Sequence, residues 1–303
     1  QSLRAVDAWI DVINANINGG VRTAYKSSRL KFGGSNVTIG RAGNATSLPL
    51  QIPETGLMTA NTVIDFSQGA ITASTENTHL AVQGDGFFVI VDPASVNTNG
   101  TLKAATSATR LFVTRDGEFH TNQAGMLVNA AGYVLITASY TTATTWNYNS
   151  GTFGAACAMR AVYNNLDTSQ AATVATQAIR LSDYISQNII NPGIVLADGV
   201  STLPAGCRNL VDYPQGKQAL KYSPLGSTVF DLDYQMSGAQ NPSLSQAFPA
   251  TTSTVLSKSL EASNASMTQS VPELSLAQKL FSALTKVLQI SQTNTDAVLN
   301  LIR

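Results

Sequence analysis

The stretch Leu80-Ala81-Val82-Gln83-Gly84-Asp85-Gly86-Phe87-Phe88-Val89-Ile90-Val91 decides how the middle of the chain is read. Two apolar runs separated by Gly-Asp-Gly, the second stopped by Asp92-Pro93, give two short strands rather than a helix. The spacing predicts a hairpin turning at Gly84-Asp85-Gly86, whose glycines supply positive φ. A phosphate loop would need a helix N-terminus after the glycines, and Phe87 to Val91 reads as strand. A calcium loop would need more carboxylates at alternating positions. The same pattern continues: Leu111-Phe112-Val113-Thr114-Arg115 meets Asp116-Gly117, then Glu118-Phe119-His120 follows. Gly125 with Met126-Leu127-Val128, and Gly132 with Tyr133-Val134-Leu135-Ile136, complete an all-β module of hairpins.

Outward from this module the periodicity changes. Leu3, Val6, Ile10, Ile13 and Ile17 recur at steps of three and four, a heptad seam on a helix from about Ser2 to Ile17 closed by Gly19-Gly20. Near the other end Ala277, Phe281, Leu284, Leu288, Ser291, Thr295, Val298 and Ile302 repeat that alternation, widened by Leu280, Val287 and Leu301. A seam of this kind needs a partner to bury it. From Thr137 to about Tyr234 the texture turns to Thr, Ala, Asn and Gly, with 174–185 able to form a short helix. The expected class is α+β: N- and C-terminal helices in a coiled-coil-like pair, a central all-β hairpin domain, and an inserted, β-rich domain. The expected division is 1–30 plus 265–303 for the helical domain, 31–136 plus 236–264 for the β-rich domain, and 137–235 for the insert.

Composition removes most chemistry. The 303 residues carry 18 Lys+Arg and 18 Asp+Glu, so the formal charge is zero and nucleic acid has no basic footprint to meet. Hydrophobic residues make up 44%, which excludes wholesale disorder. No apolar run approaches the ~20 residues of a membrane-spanning helix, and the start at Gln1 shows no signal-peptide pattern, so no secretory signal is expected within these residues. Two histidines and two cysteines without a CxxC motif argue against a zinc site. His79 and His120 read as structural residues, and Asp116 and Glu118 as a solvated hairpin tip. No nucleophile elbow, P-loop, HExxH or dinucleotide fingerprint is present, so the expectation is no enzyme, no cofactor and no small-molecule substrate. Cys157 and Cys207 could pair as a disulfide outside the cytoplasm, or remain separate thiols.

Asp65-Phe66-Ser67-Gln68-Gly69-Ala70-Ile71, then the opening stretch, then Val113-Thr114-Arg115-Asp116-Gly117-Glu118-Phe119 and Gly125-Met126-Leu127-Val128-Asn129-Ala130-Ala131-Gly132-Tyr133 follow one another in order. This series resembles the bacterial flagellar rod and hook proteins, through Phe66, Gln68, Gly69, Gln83, Gly84, Asp85, Gly86, Phe87, Phe88, Arg115, Gly117, Gly132 and Tyr133. The ends agree with it: Asn14-Ala15-Asn16-Ile17-Asn18 is similar to the family's Asn-rich helix exit. Leu260-Glu261-Ala262-Ser263-Asn264, followed by a helix with Gln278-Lys279 and Phe281, is similar to its C-terminal segment. The match covers roughly 1–136 and 236–303. It departs at Ala24-Tyr25-Lys26, where the family shows Gly-Phe-Lys, and at Gln269-Ser270-Val271-Pro272, where the family has an acidic residue; cysteines are seldom seen in it.

The resemblance implies a structural subunit that polymerises helically with copies of itself into a hollow axial tube. That tube would transmit torque and enclose an export channel. It further implies passage through the flagellar type III route, contacts with other axial proteins and an assembly cap, and a place at the cell envelope or extracellular surface. The assembly contacts it implies are Leu3, Val6, Ile10, Ile13 and Ile17 with Phe281, Leu284, Leu288, Val298 and Ile302. The alternative is a diverged flagellar-derived surface fibre or adhesin whose insert, with Trp146 and Tyr148, binds a surface ligand.

Overall fold

The computed structural model describes residues 2–34, 38–41, 50–52, 56–97, 100, 102, 111–139, 161–164, 179–186, 207–208, 210–212, 217–232, 248–249 and 253–301. The chain divides into two compact units, one of 1–21, 26–65 and 265–303, the other of 22–25 and 66–264. Terminal helices and a predominance of short strands make the class α+β, as expected.

In the first unit, helix α1 (Ser2–Gly19) buries Ala5, Val6 and Ile13. It ends where Gly20 N–H turns to the carbonyls of Asn16 (2.9 Å) and Ile17 (3.2 Å). Strand β1 (Ser28–Gly34) precedes the short antiparallel pair β2 (Thr38–Arg41) and β3 (Leu50–Ile52), and β4 (Leu57–Ile64) returns against β1. The β1–β4 register runs from Ser28 opposite Ile64 to Gly34 opposite Leu57, with a bulge between Lys31 and Phe32. Trp9 of α1 meets Phe32 edge-on, with ring centroids 5.5 Å apart. The Asn16 side chain donates to Ser28 O (2.7 Å) and accepts from Ser28 N–H (2.9 Å), clamping helix to strand.

The second unit carries strands β5 (Ile71–Ala73), β6 (Leu80–Gln83), β7 (Phe88–Val91), β8 (Leu111–Thr114), β9 (His120–Thr121), β10 (Leu127–Val128) and β11 (Val134–Ile136). Then come β12 (Ala138–Ser139), β13 (Val162–Tyr163), β14 (Ile179–Arg180), helix α2 (Leu181–Ser186), β15 (Cys207–Arg208) and β16 (Val211–Asp212). The last are β17 (Leu220–Ser223), β18 (Gly226–Leu232), β19 (Phe248–Pro249), β20 (Thr254–Ser257) and β21 (Ser259–Glu261). The long helix α3 (Met267–Leu301) closes the described chain and belongs to the first unit.

Among the described residues a seven-stranded sheet runs β17-β18-β8-β7-β11-β10-β9. Leu80, Val82, Phe88, Ile90, Phe119 and Leu127 fill its core. Two hairpins follow the expected turn chemistry. Asn122 and Asn129 each accept backbone N–H groups two and four residues ahead, and Gly125 and Gly132 both take φ of +84°.

Two expectations are corrected. Gly84-Asp85-Gly86 is no hairpin turn: β6 pairs with β20, while β7 pairs with β8 and β11. The turn is a corner between sheets, and Asp116-Gly117 is no hairpin turn either, because β8 pairs with β7 and β18 while β9 lies at the far edge of the same sheet. Nor do the described parts of 137–235 stand apart as an insert. β17 and β18 extend the same sheet, where Phe230 and Val113 are opposed, and α2 sends the fully buried Tyr184 into its core. Thr-rich texture hid this, because Val229-Phe230 is a short apolar pair amid polar residues.

The expected boundary at 30/31 falls inside β1, whose pairing with β4 carries 31–65 into the helical unit. Helix α2 starts later than the 174–185 reading, after strand β14. Residues 174–178, Trp146, Tyr148 and Cys157 lie outside the described residues.

Candidate functional site

The helical unit presents one candidate surface. A Cβ at Gly20 would lie 3.5 Å from the Met267 side chain, so the end of α1 lies beside the start of α3. The two helices pack together and therefore run antiparallel. At 1.5 Å per residue, α1 spans about 27 Å and α3 about 52 Å, so the far half of α3 outruns its partner. Burial follows that geometry: Ser270 and Ala277 are buried and Leu274 and Leu284 half-buried, while every described residue from Lys286 to Leu301 is exposed.

The sequence-derived assembly residues separate accordingly. Val6 and Ile13 are buried, and Leu3, Ile10, Ile17 and Leu284 are half-buried. Phe281, Leu288 and Val298 are 38%, 49% and 59% exposed, and Ile302 lies outside the described residues. An apolar row exposed over several turns is costly in water unless something covers it.

The second unit gathers the sequence signature around Arg115. Its side chain is 1% exposed, and its guanidinium donates to Gly86 O (2.7 Å) and Gly84 O (2.6 Å). It also stands 5.5 Å from the centre of the Phe87 ring. Its Nε faces Glu261 Oε2 at 3.5 Å, an ion pair with neither side chain open to solvent. Glu261 Oε1 accepts from Gly69 N–H (2.9 Å). Gln68 joins the same corner, donating to Val82 O and accepting from Gly84 N–H, and Ser253 Oγ accepts from Gly86 N–H. Burial pulls the Arg115 pKa down and the Glu261 charge opposes this; arginine stays protonated regardless.

Glycines are required where backbones meet. A Cβ at Gly117 would run into the Leu80 carbonyl, whose own N–H bonds Gly117 O (3.0 Å), and a Cβ at Gly69 would run into the Ala262 carbonyl. Phe66 packs edge-on against Phe87 and Phe230, and Phe88 against Phe119. Tyr133 meets Phe112 in the same way. Gln83 accepts from Thr254 Oγ1 (3.3 Å). Asp85 bonds Lys217 Nζ (2.7 Å), which holds its carboxyl below the usual range.

Asp116, read from sequence as a solvated tip, instead accepts Thr23 Oγ1 (2.9 Å), Glu118 N–H (3.1 Å) and Thr228 Oγ1 (3.4 Å). Burial raises its pKa, and the Glu118 and Thr23 hydrogen bonds oppose the rise. Sequence reading missed Glu261 and Ser253 as partners of the corner, because their separation from Arg115 and Gly86 leaves no local pattern.

This arrangement is built for rigidity. Ser74 Oγ and His79 Nδ1 are 2.7 Å apart, but Glu76 N–H also turns to that hydroxyl (3.3 Å), which makes it a local turn. Among the described residues no group of three His, Cys, Asp or Glu could hold a metal, and no helix is long and apolar enough to cross a membrane. Cys207 lies in β15.

The likeness to known proteins falls on the flagellar axial proteins. The chain is 27% identical over 133 residues to the flagellar basal-body rod protein FlgG of Buchnera aphidicola subsp. Schizaphis graminum, covering 42% of this chain and 46% of that one. It thus spans about half the length of the curated relative it matches. Among solved structures, the Helicobacter pylori flagellar hook protein FlgE2 is 20% identical, over 35% of this chain and 20% of that one, at a TM-score of 0.17. No family profile matches the chain. The chain is thus similar in sequence, over less than half its length, to a flagellar rod protein.

Proposed function

We propose that the chain is a structural subunit of a flagellar axial assembly of the rod or hook type, and that its terminal helices drive polymerisation. One observation carries this reading: α3 continues past α1 with its apolar residues uncovered, among them Leu288 and Val298. A monomer gains nothing from that exposure, whereas copies packed side by side would bury it. Contacts of one face on a different face generate helical filaments when the rotation between copies does not close a ring. The unit centred on Arg115 would then be the stiff body carried by the polymer. The sequence likeness to a rod protein supports the same reading.

On this reading the protein acts through assembly rather than catalysis, at the cell envelope or outside it. Its partners are further copies of itself, other axial proteins and an assembly cap, with no nucleic acid or small-molecule substrate. A hollow tube that transmits torque and encloses an export channel, fed by type III export, belongs to the same proposal. The test is imaging of the purified chain beside Leu288→Asp, an exposed position past the part of α3 that α1 covers. Filaments from the parent and none from the variant support the reading; filaments from both refute helix-driven assembly.

A further inference from the structure

Between α1 and β1 the chain makes a short strap, residues 22–25, that belongs to the second unit. It is tied at every residue. Arg22 Nη1 donates to Ser227 Oγ (3.1 Å), and Thr23 Oγ1 donates to Asp116 Oδ1 (2.9 Å). Ala24 N–H donates to Glu261 O (2.8 Å), and Tyr25 O accepts from Asn264 N–H (3.2 Å). The strap is nevertheless strained, because Ala24 sits at φ of +54°, where the Cβ of an L-residue crowds the backbone.

We propose that this strap is a proton-gated latch, docked firmly while Asp116 is neutral and loosened when Asp116 ionises. The carboxyl is half-buried and is met by neutral donors: Thr23 Oγ1 and Glu118 N–H at Oδ1, and Thr228 Oγ1 at Oδ2. The charged or titratable groups on the elements around it are Arg22 on the strap, Arg115 and Glu118 on its own turn, Asp231 on β18, and His79, which bridges to Glu118. Arg115 is turned to the Gly84 and Gly86 carbonyls and to Glu261, and Arg22 to Ser227. Among the described residues no cation pairs with Asp116, and the charge that bears on it, Glu118, has the same sign. An ionised carboxylate without a counter-ion is better off in water, and lifting the strap lets water in. The neutral carboxyl loses nothing by staying: Oδ1 still accepts from Thr23, and Oδ2 can donate to Thr228 Oγ1. Burial accordingly raises the pKa of Asp116 in the docked form. A group that holds its proton more tightly when docked favours docking as the pH falls. The latch therefore closes in acid and loosens as the pH rises from the ordinary carboxylate value of about 4 through the raised one. Relief of the strain at Ala24 pushes in the same direction.

Amide hydrogen exchange of the full chain tests this. It is read at Ala24, whose N–H closes onto Glu261 O, and scaled to the amides of β7 so that opening of the whole unit cancels. Corrected for intrinsic exchange, protection at Ala24 is expected to rise about threefold or more from about pH 7.5 to about pH 4.5. Asp116→Asn keeps an acceptor for Thr23 and Glu118 N–H and offers Thr228 a donor, so it is expected to hold Ala24 protected at both pH values. Thr23→Val removes a partner of the charged form and is expected to steepen the gradient, with most of the lost protection at neutral pH. Protection at Ala24 that does not change with pH in the parent overturns the latch, as does a gradient that survives unchanged in either variant.

Discussion

At the scale of single residues, Arg115 and Glu261 explain why the sequence signature is spread over so many short motifs. Each motif supplies one wall of a corner: two carbonyls from Gly84 and Gly86, an N–H from Gly69, and a carboxylate from Glu261. Removing one member of a buried pair is expensive because the other charge is left without compensation. Glu261→Gln keeps the shape and the acceptor for Gly69, yet it is expected to cost about 3–5 kcal/mol, read as a lower urea midpoint. Gly117→Ala sets a methyl against the Leu80 carbonyl and is expected to cost about 3 kcal/mol, checked by thermal unfolding. Ala24 shows the same logic in reverse. It adopts φ of +54°, a region that favours glycine, at the place where the resembling proteins carry Gly.

At the scale of elements, the clamp between α1 and β1 joins a helix of marginal length to a two-stranded ribbon, and neither is stable alone in water. Asn16→Ala removes two hydrogen bonds to the Ser28 backbone and is expected to cost about 1–3 kcal/mol. Amide exchange at Ser28 should quicken accordingly; unchanged exchange would show that the clamp is idle.

Legibility followed sequence distance. The helices were readable because Leu3 to Ile17 and Ala277 to Val298 repeat locally, and the Asn122 and Asn129 turns because their glycines lie three residues on. The Gly84-Asp85-Gly86 corner was misread as a hairpin because its decisive contacts come from Arg115 and Ser253. The role of 220–232 was missed for the same reason: a strand's sheet is fixed by the partner across from it, here β8.

At the scale of the whole molecule, the low charge, the uncovered half of α3 and the tightly tied β unit fit the proposed self-assembly. The central claim is that the exposed rows of α3 build the polymer. Negative-stain electron microscopy of the full chain beside Leu288→Asp addresses it most directly. Hollow filaments from the parent alone, with both proteins giving the same circular dichroism, are the predicted result. Filaments of equal length and number from both, or none from the parent under any condition that keeps it folded, would contradict it.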